Sequence, residues 1–404
     1  MSSSPINELK PMVQDLKGEL GFIYIARARA LREKGYRVIS FGVGQPDIPT
    51  FDHIVESAKR ALDKRITGYT ETAGIPKLRK AFADYLNERY EAGAKEDEVI
   101  VTTGAKTAIF LAIASYISPG DEVIIPEPSY PAYGEVVRFL GGIPRYVPLE
   151  FKDPSSGFEL NIGKLESMIS KRTKMIVLNN PHNPTGYVFP PKVIEEIYNL
   201  AREKRLLILA DEIYDNFVYG ETEFKSITSF PGWKDYVLYV NGASKTYSMT
   251  GWRIGYLVVR SDVARKLTRL AVNIYSCAPS FAQEAAADAL KGDWAPVKRM
   301  IETFRRRRDL IYRELSKIKG FEVWKPHGAF YIFPRISNIL SKSGVSVEQF
   351  VDYLIDRYQV VVLPGSGFPD TAGREYIRLS YAVSEEDIVE GVRRISDAVK
   401  ELIG

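Results

Sequence analysis

Cysteine and histidine are scarce in this sequence: one Cys, at position 277, and three His. No intrachain disulfide can form, and residues so few and scattered give no metal-ligand spacing, so no metal is expected. An excess of one charge sign is also missing. Lys and Arg number 55 against 51 Asp and Glu, interleaved along the chain, which leaves no basic arm for nucleic acid. No apolar run reaches the length of a membrane span, and the first residues lack the charged start, apolar stretch and cleavage site of a signal peptide. These absences lead us to expect a protein of the reducing cytoplasm that binds neither membrane nor nucleic acid. Repeats of fixed period and low-complexity tracts are absent too, which excludes solenoids and propellers. So are a Walker Gly-Lys-Ser/Thr ending and a Gly-x-Gly-x-x-Gly fingerprint, which counts against nucleotide and NAD binding.

What is present is the composition of a globular enzyme: 404 residues, 45% hydrophobic and 26% charged, enough for two domains and a buried cofactor. Short β-branched apolar runs at 98–102, 122–126, 174–178, 206–210, 237–240 and 254–259 read as strands, with a helix at 106–116. Strands apolar throughout and alternating with helices predict a mostly parallel sheet covered on both faces. The last third changes character, with long charged helices over 280–319 and strand-like runs at 329–333, 360–363 and 376–380. It closes on a helix announced by a capping box of Ser384 and Asp387, with Ile388, Val392, Ile395, Val399 and Leu402 on one face. The expected division is a large domain over 51–290 and a smaller α+β domain made of 1–50 together with 291–404.

The richest segment runs from Asn241 to Tyr256 and contains Ala243-Ser244-Lys245-Thr246 and, further on, Gly251-Trp252-Arg253. A lysine in a small-residue loop after an apolar strand stands where open α/β sheets place ligands, and a lysine amine can form a Schiff base. Arg253, eight residues on, can hold a phosphate. Alone, Lys245 would be one surface charge among many. Other segments add to it. Asn179 to Gly186 reads as a tight turn after a strand, with His182 a loop residue. Asp211-Glu212-Ile213-Tyr214 puts a carboxylate at a strand's end, a place more often filled by a helix cap. Thr103-Gly104-Ala105-Lys106 joins a strand to a helix, so its free N–H groups can cradle an anion. Arg378 lies inside an apolar run, where a charge needs either a structural carboxylate or a carboxylate ligand.

Together these segments resemble the class I, fold-type I aminotransferases that use pyridoxal phosphate (PLP), in particular the prokaryotic aspartate and aromatic group, from about residue 30 onward. The resemblance implies a seven-stranded, mostly parallel sheet between helices. It makes Lys245 the covalent anchor of PLP and the base that moves the α-proton. Asp211 would hold the ring nitrogen, Asn183 and Tyr214 the ring hydroxyl oxygen, and Tyr130 would stack on the ring. Gly104, Ala105, Lys106, Ser244 and Arg253 would surround the phosphate, with Tyr69 reaching it from the neighbouring subunit of a homodimer with shared sites. Gly44, Asn183 and Arg378 would bind the substrate α-carboxylate. The implied reaction passes the amino group of an amino acid to a 2-oxo acid such as 2-oxoglutarate in a ping-pong cycle.

The sequence departs from the resemblance at two places. Gly242 stands where relatives often carry a phosphate-binding Ser, and residues 271–283 contain no arginine for a second carboxylate. Lys106 argues for dicarboxylic substrates, while Phe22, Tyr24 and Tyr69 suggest that aromatic side chains are accepted as well. Aspartate or glutamate is favoured, with aromatic amino acids also taken. The alternative is a PLP-dependent lyase of the same fold, of the carbon-sulfur β-lyase or aminocyclopropane-carboxylate synthase type.

Overall fold

The computed structural model describes residues 9–220, 222–369 and 371–404. An early strand, β1 (Ile39–Ser40), is followed by β2 (Val99–Thr102), β3 (Glu122–Glu127), β4 (Ile143–Asp153) and β5 (Gly157–Leu160). Then come β6 (Thr173–Asn179), β7 (Leu207–Asp211), β8 (Val237–Gly242) and β9 (Gly255–Val258). Four short strands complete the set: β10 (Tyr331–Ile332), β11 (Val360–Val361), β12 (Leu363–Pro364) and β13 (Ile377–Ser380).

The large sheet has eight strands in the order β2-β9-β8-β7-β6-β3-β4-β5, one more than the seven expected. Its centre, from β4 through β3, β6 and β7 to β8, is parallel, whereas β9 runs antiparallel to both β2 and β8. The additional strand is β5, which folds back antiparallel on the second half of β4. No apolar run announced this hairpin. The first half of β4 pairs with β3 alone and alternates in exposure, so it tolerates Pro144, Pro148 and charged neighbours that disguise it in the sequence.

Strands β2, β3, β8 and β9 are buried along their whole length, and β6 and β7 at all but one position each, because both faces of the sheet are covered. Ile100, Val123, Ile125, Val177, Leu209 and Leu257 pack with helices Ala105–Ala114 and Ser261–Tyr275. The alternate residues Val101, Ile124, Ile176, Ile208 and Tyr256 belong to the core on the other face, with Phe82 and Leu86 of helix Pro76–Tyr90.

Beyond this sheet, β1 pairs in parallel with β11, tying the N-terminal segment to the C-terminal region. A three-stranded sheet, β10-β13-β12, carries Arg378 in its middle strand. The final helix, Glu385–Ile403, buries Ile388, Val392, Ile395 and Val399 as its pattern predicts, with Leu402 half-buried. Its cap is simpler than expected. The Ser384 hydroxyl accepts from the Asp387 N–H at 3.1 Å, but the Asp387 carboxylate turns away to Arg37 at 3.1 Å, so the reciprocal half of a capping box is replaced by an ion pair. Among the described residues no helix is long and apolar enough to cross a membrane.

Candidate active site

Strands β6, β7 and β8 run side by side in parallel, so the residues at their carboxyl ends converge on one crevice, where sheets of this kind bind ligands. Asn179 and Asp211 end β6 and β7, and the turn after β8 carries Ser244 and Lys245. Helix Ala105–Ala114, the loop 42–45 and β13 close the remaining sides around a cavity of about 560 Å³. Among the described residues four cations line it, Lys106, Lys245, Arg253 and Arg378, against two carboxylates, Glu19 and Asp211. Such an excess of positive charge in a cleft draws in anions.

Asp211 is buried, and burial lifts its carboxyl to about 6. The Tyr133 hydroxyl at 2.7 Å and the Ile213 N–H at 3.2 Å oppose that rise by donating to it, and Lys245 opposes it by charge. Opposite stands Lys245. Its ammonium donates to the Gly44 carbonyl at 2.6 Å and lies 5.8 Å from the centre of the Tyr214 ring. Burial first, then the neighbouring Arg378, lower its pKa to about 8, with Arg253 and Lys106 adding to the effect and Asp211 opposing it. An amine with that pKa is partly unprotonated near neutrality and can act as nucleophile or base.

Arg378 is also buried, and among the described residues no carboxylate forms an ion pair with it, Glu19 acting on it only through charge at a distance. Its Nη2 donates to the Gly42 carbonyl at 2.8 Å and its Nη1 to the Asn183 side-chain oxygen at 3.2 Å, while its Nε has no partner. The guanidinium lies over the rings of Tyr331 and Phe368, 4.5 and 4.9 Å from their centres. Burial depresses its pKa. A fixed, incompletely satisfied guanidinium facing a cavity calls for an anionic ligand. Asn183 is itself held by its N–H, which donates to the Asn179 side chain at 2.8 Å. Tyr214 shares a hydrogen bond of 2.7 Å with Tyr331, whose hydroxyl also presses on Gly44 and leaves no room for a side chain there.

At the other end of the cavity, helix Ala105–Ala114 begins with N–H groups that have no acceptor within the helix. Gly104, at φ +92°, lies directly under the Arg253 guanidinium, whose Nη1 is fixed on the Thr250 carbonyl at 2.7 Å. The helix start rests on Gly255, because any Cβ there would collide with the backbone of Gly104 and Ala105. Gly242 pairs with Gly255 across the ladder, and a Cβ on Gly242 would come within 2.9 Å of the Gly255 Cα and the Ile254 carbonyl. The backbone therefore has no space for a serine at this position. Helix start, Ser244 and Arg253 remain as an anion cradle.

Of the residues singled out in the sequence, Gly44, Ala105, Lys106, Tyr130, Asn183, Asp211, Tyr214, Ser244, Lys245, Arg253 and Arg378 all line the cavity, with Gly104 beneath it. Tyr69 does not. It is 92% exposed on the single chain and is not part of the cavity lining. Phe22 lines the mouth and is 66% exposed. Tyr24, expected beside the substrate, is instead buried at 6% exposure with its hydroxyl 3.4 Å from Asp352, because the helix Leu20–Glu33 turns it to the opposite side. His182 lies in its loop as read, but buried, sharing a hydrogen bond of 2.8 Å with Thr185; burial lowers its pKa to about 3. Tyr133, Tyr331, Phe368 and Glu19 were not foreseen. Among 24 tyrosines and 19 phenylalanines the three aromatics look like core, and Glu19 like a surface acid.

Comparison with known proteins bears on the same residues. An aspartate aminotransferase of Sulfurisphaera tokodaii is 50% identical over 400 residues, which cover 99% of both chains. The solved aspartate aminotransferase from Rhizobium meliloti superposes with a TM-score of 0.90 at 33% identity, covering 98% of this chain and 99% of that one. The aromatic aminotransferase from Pyrococcus horikoshii OT3 gives 0.85 at 36% identity, over 92% and 98%. The family described as aminotransferase class I and II matches residues 36–395, a span that takes in every cavity-lining residue from Gly42 to Arg378. The chain belongs to that PLP-dependent family and is a transaminase.

Proposed function

We propose that this transaminase binds pyridoxal phosphate in the cavity and moves the amino group of aspartate or glutamate, and of aromatic amino acids, to a 2-oxo acid such as 2-oxoglutarate. One observation carries the reading. The Lys245 amine, with its pKa lowered to about 8, lies in one cavity with an anion cradle, a buried carboxylate and a buried guanidinium that has no ion-pair partner among the described residues. The donor set fits the cofactor. The helix start at Gly104, Ala105 and Lys106, with Ser244 and Arg253, suits a phosphate. Asp211 suits a protonated ring nitrogen, since a buried carboxylate raised to about 6 gains from a cation. Asn183 and Tyr214 offer a donor each to a ring oxygen, and Tyr130 an aromatic face.

When bound, pyridoxal phosphate supplies an aldehyde for amines and a ring that accepts the electrons released at the substrate α-carbon. The chain supplies the rest. Arg378, held flat by Gly42 and Asn183 over Tyr331, grips the α-carboxylate that all amino acids share, beside Gly44. The Lys245 amine would act as the base that takes the α-proton and gives it back two atoms along, on the far side of the amino nitrogen. Asp211, steadied by Tyr133, keeps negative charge where the ring needs it. Holding the reactants in place removes much of the entropic barrier. Side-chain choice falls to Lys106 and Phe22, and the solved relatives named for aspartate and for aromatic substrates support both classes.

We further infer a homodimer in the cytoplasm, with Tyr69 of each copy completing the other's phosphate site. The exposure of Tyr69, together with exposed Leu9, Met12, Val13 and Leu16 on the N-terminal arm, supports a second copy covering these residues. Residues 51–290 would form the large domain, and 1–50 with 291–404 the small one.

The test is an amino-donor panel with 2-oxoglutarate as acceptor, run beside borohydride reduction and peptide mass spectrometry. Aspartate and an aromatic donor should both be turned over, and the cofactor should be found fixed to Lys245. Turnover of neither donor would overturn the specificity, and pyruvate release without any acceptor would favour a lyase.

A further inference from the structure

Glu19 enters the cavity from outside the segments that carry the chemistry. It stands at the start of helix Leu20–Glu33, where a short polar side chain ordinarily caps the first turn, yet it makes no capping hydrogen bond. Its Oε1 instead accepts from the Tyr130 hydroxyl at 2.9 Å and pairs with the Lys106 ammonium. Among the described residues it is the one carboxylate paired with Lys106. The two ends of this contact belong to different parts of the molecule. The helix behind Glu19 is tied to helix Val347–Tyr358 through Arg27, which pairs with Asp352 and, at 2.8 Å, with Asp356. Lys106 and Tyr130 lie on the large sheet's side, in helix Ala105–Ala114 and after β3.

The charge arithmetic at this wall is simple. With Glu19 in place Lys106 is neutralised, and an uncharged side chain entering the cavity meets no bare ammonium. A substrate side-chain carboxylate that seeks Lys106 meets a like charge already seated there. Both partners are partly exposed, at 49% for the Lys106 side chain and 28% for Glu19, so the pair is screened and weak enough to be exchanged.

We propose that Glu19 is a specificity-determining residue: its carboxylate is the resident counter-ion of Lys106, kept when an aromatic substrate binds and displaced by the distal carboxylate of a dicarboxylic one. The inference rests on the reading that this cavity takes both classes. Glu19 thereby lowers preference for dicarboxylic substrates and lets one site serve two side-chain chemistries.

Glu19→Gln keeps the size and an oxygen for Tyr130 while removing the charge. Calorimetry on the PLP-loaded protein would compare succinate, a dicarboxylate with no amino group to transfer, with 3-phenylpropionate. The ratio of their affinities should move toward succinate by about two- to fivefold in the variant, the range of a partly exposed ion pair. The ratio of kcat/KM for aspartate over phenylalanine should move the same way. An unchanged ratio, or weaker succinate binding, would overturn the proposal. If wild type transaminates neither donor, the specificity reading of the preceding section falls, while succinate binding still decides the role of Glu19.

Discussion

Asp211 sits in the protein at an energetic disadvantage that the cofactor is suited to relieve. Burial raises its carboxyl from 3.8 to about 6, so the folded state binds a proton more readily than the unfolded chain between those values. Stability contributed by this group is therefore lost as pH rises from about 4 to 6, and the full cost is present above 6. Asp211→Asn removes the charge and keeps an oxygen for the Tyr133 hydroxyl. Without cofactor, the variant should be more stable than wild type by about 1–3 kcal/mol at pH 7 and no different below about pH 4. Its kcat should fall by about a hundredfold or more, because the ring nitrogen loses its anion. Thermal melts across pH, beside steady-state rates, check both halves; a destabilised variant with normal kcat would remove Asp211 from the proposed role. Asp211 and Lys245 were legible in the sequence because each follows an apolar strand in a short polar motif. Tyr133 and Tyr331 were not, since a buried tyrosine reveals its partner only after the chain has folded.

Glycine pairs on neighbouring elements decide how the anion cradle is built. Gly255 of β9 allows the start of helix Ala105–Ala114 to lie against the sheet, and Gly104 allows Arg253 to lie over that start. Gly255→Ala should force the helix start outward, lowering stability by about 1–3 kcal/mol through overpacking. It should also speed cofactor loss while leaving the Lys245 adduct chemically possible. Melting temperature and the rate of cofactor release under dilution measure the two effects. Unchanged release would mean that the helix start does not hold the phosphate. The strands at 98–102, 174–178 and 206–210 could be read because each holds an unbroken apolar run, at 99–101, 175–178 and 206–210, as sheets covered on both faces require. The hairpin β4-β5 could not, because a half-paired, half-exposed strand with two prolines carries no such signature.

For the whole molecule, Tyr69 is the residue whose place a single chain leaves open, at 92% exposure. If each copy lends its Tyr69 to the other, Lys245→Ala on one subunit and Tyr69→Ala on the other fall in the same site of a mixed dimer. Co-expression should give heterodimers with one site defective twice over and one fully intact, whereas each variant alone has none. Purified heterodimer should thus recover about half the wild-type activity per dimer. Heterodimers with no more activity than the Tyr69→Ala homodimer would place Tyr69 within its own subunit's chemistry or outside it altogether.

The sequence by itself determined the reaction class. Lysine, aspartate, asparagine and arginine stand in short local motifs at strand ends, and such motifs survive translation into one dimension. Tertiary structure alone decided which groups tune them. Glu19 and Lys106 are 87 positions apart and Tyr214 and Tyr331 117 apart, and no local pattern encodes a contact over such distances. Only the packing of the N-terminal helix over the sheet's carboxyl edge brings the Glu19 carboxylate to the cavity wall beside Lys106.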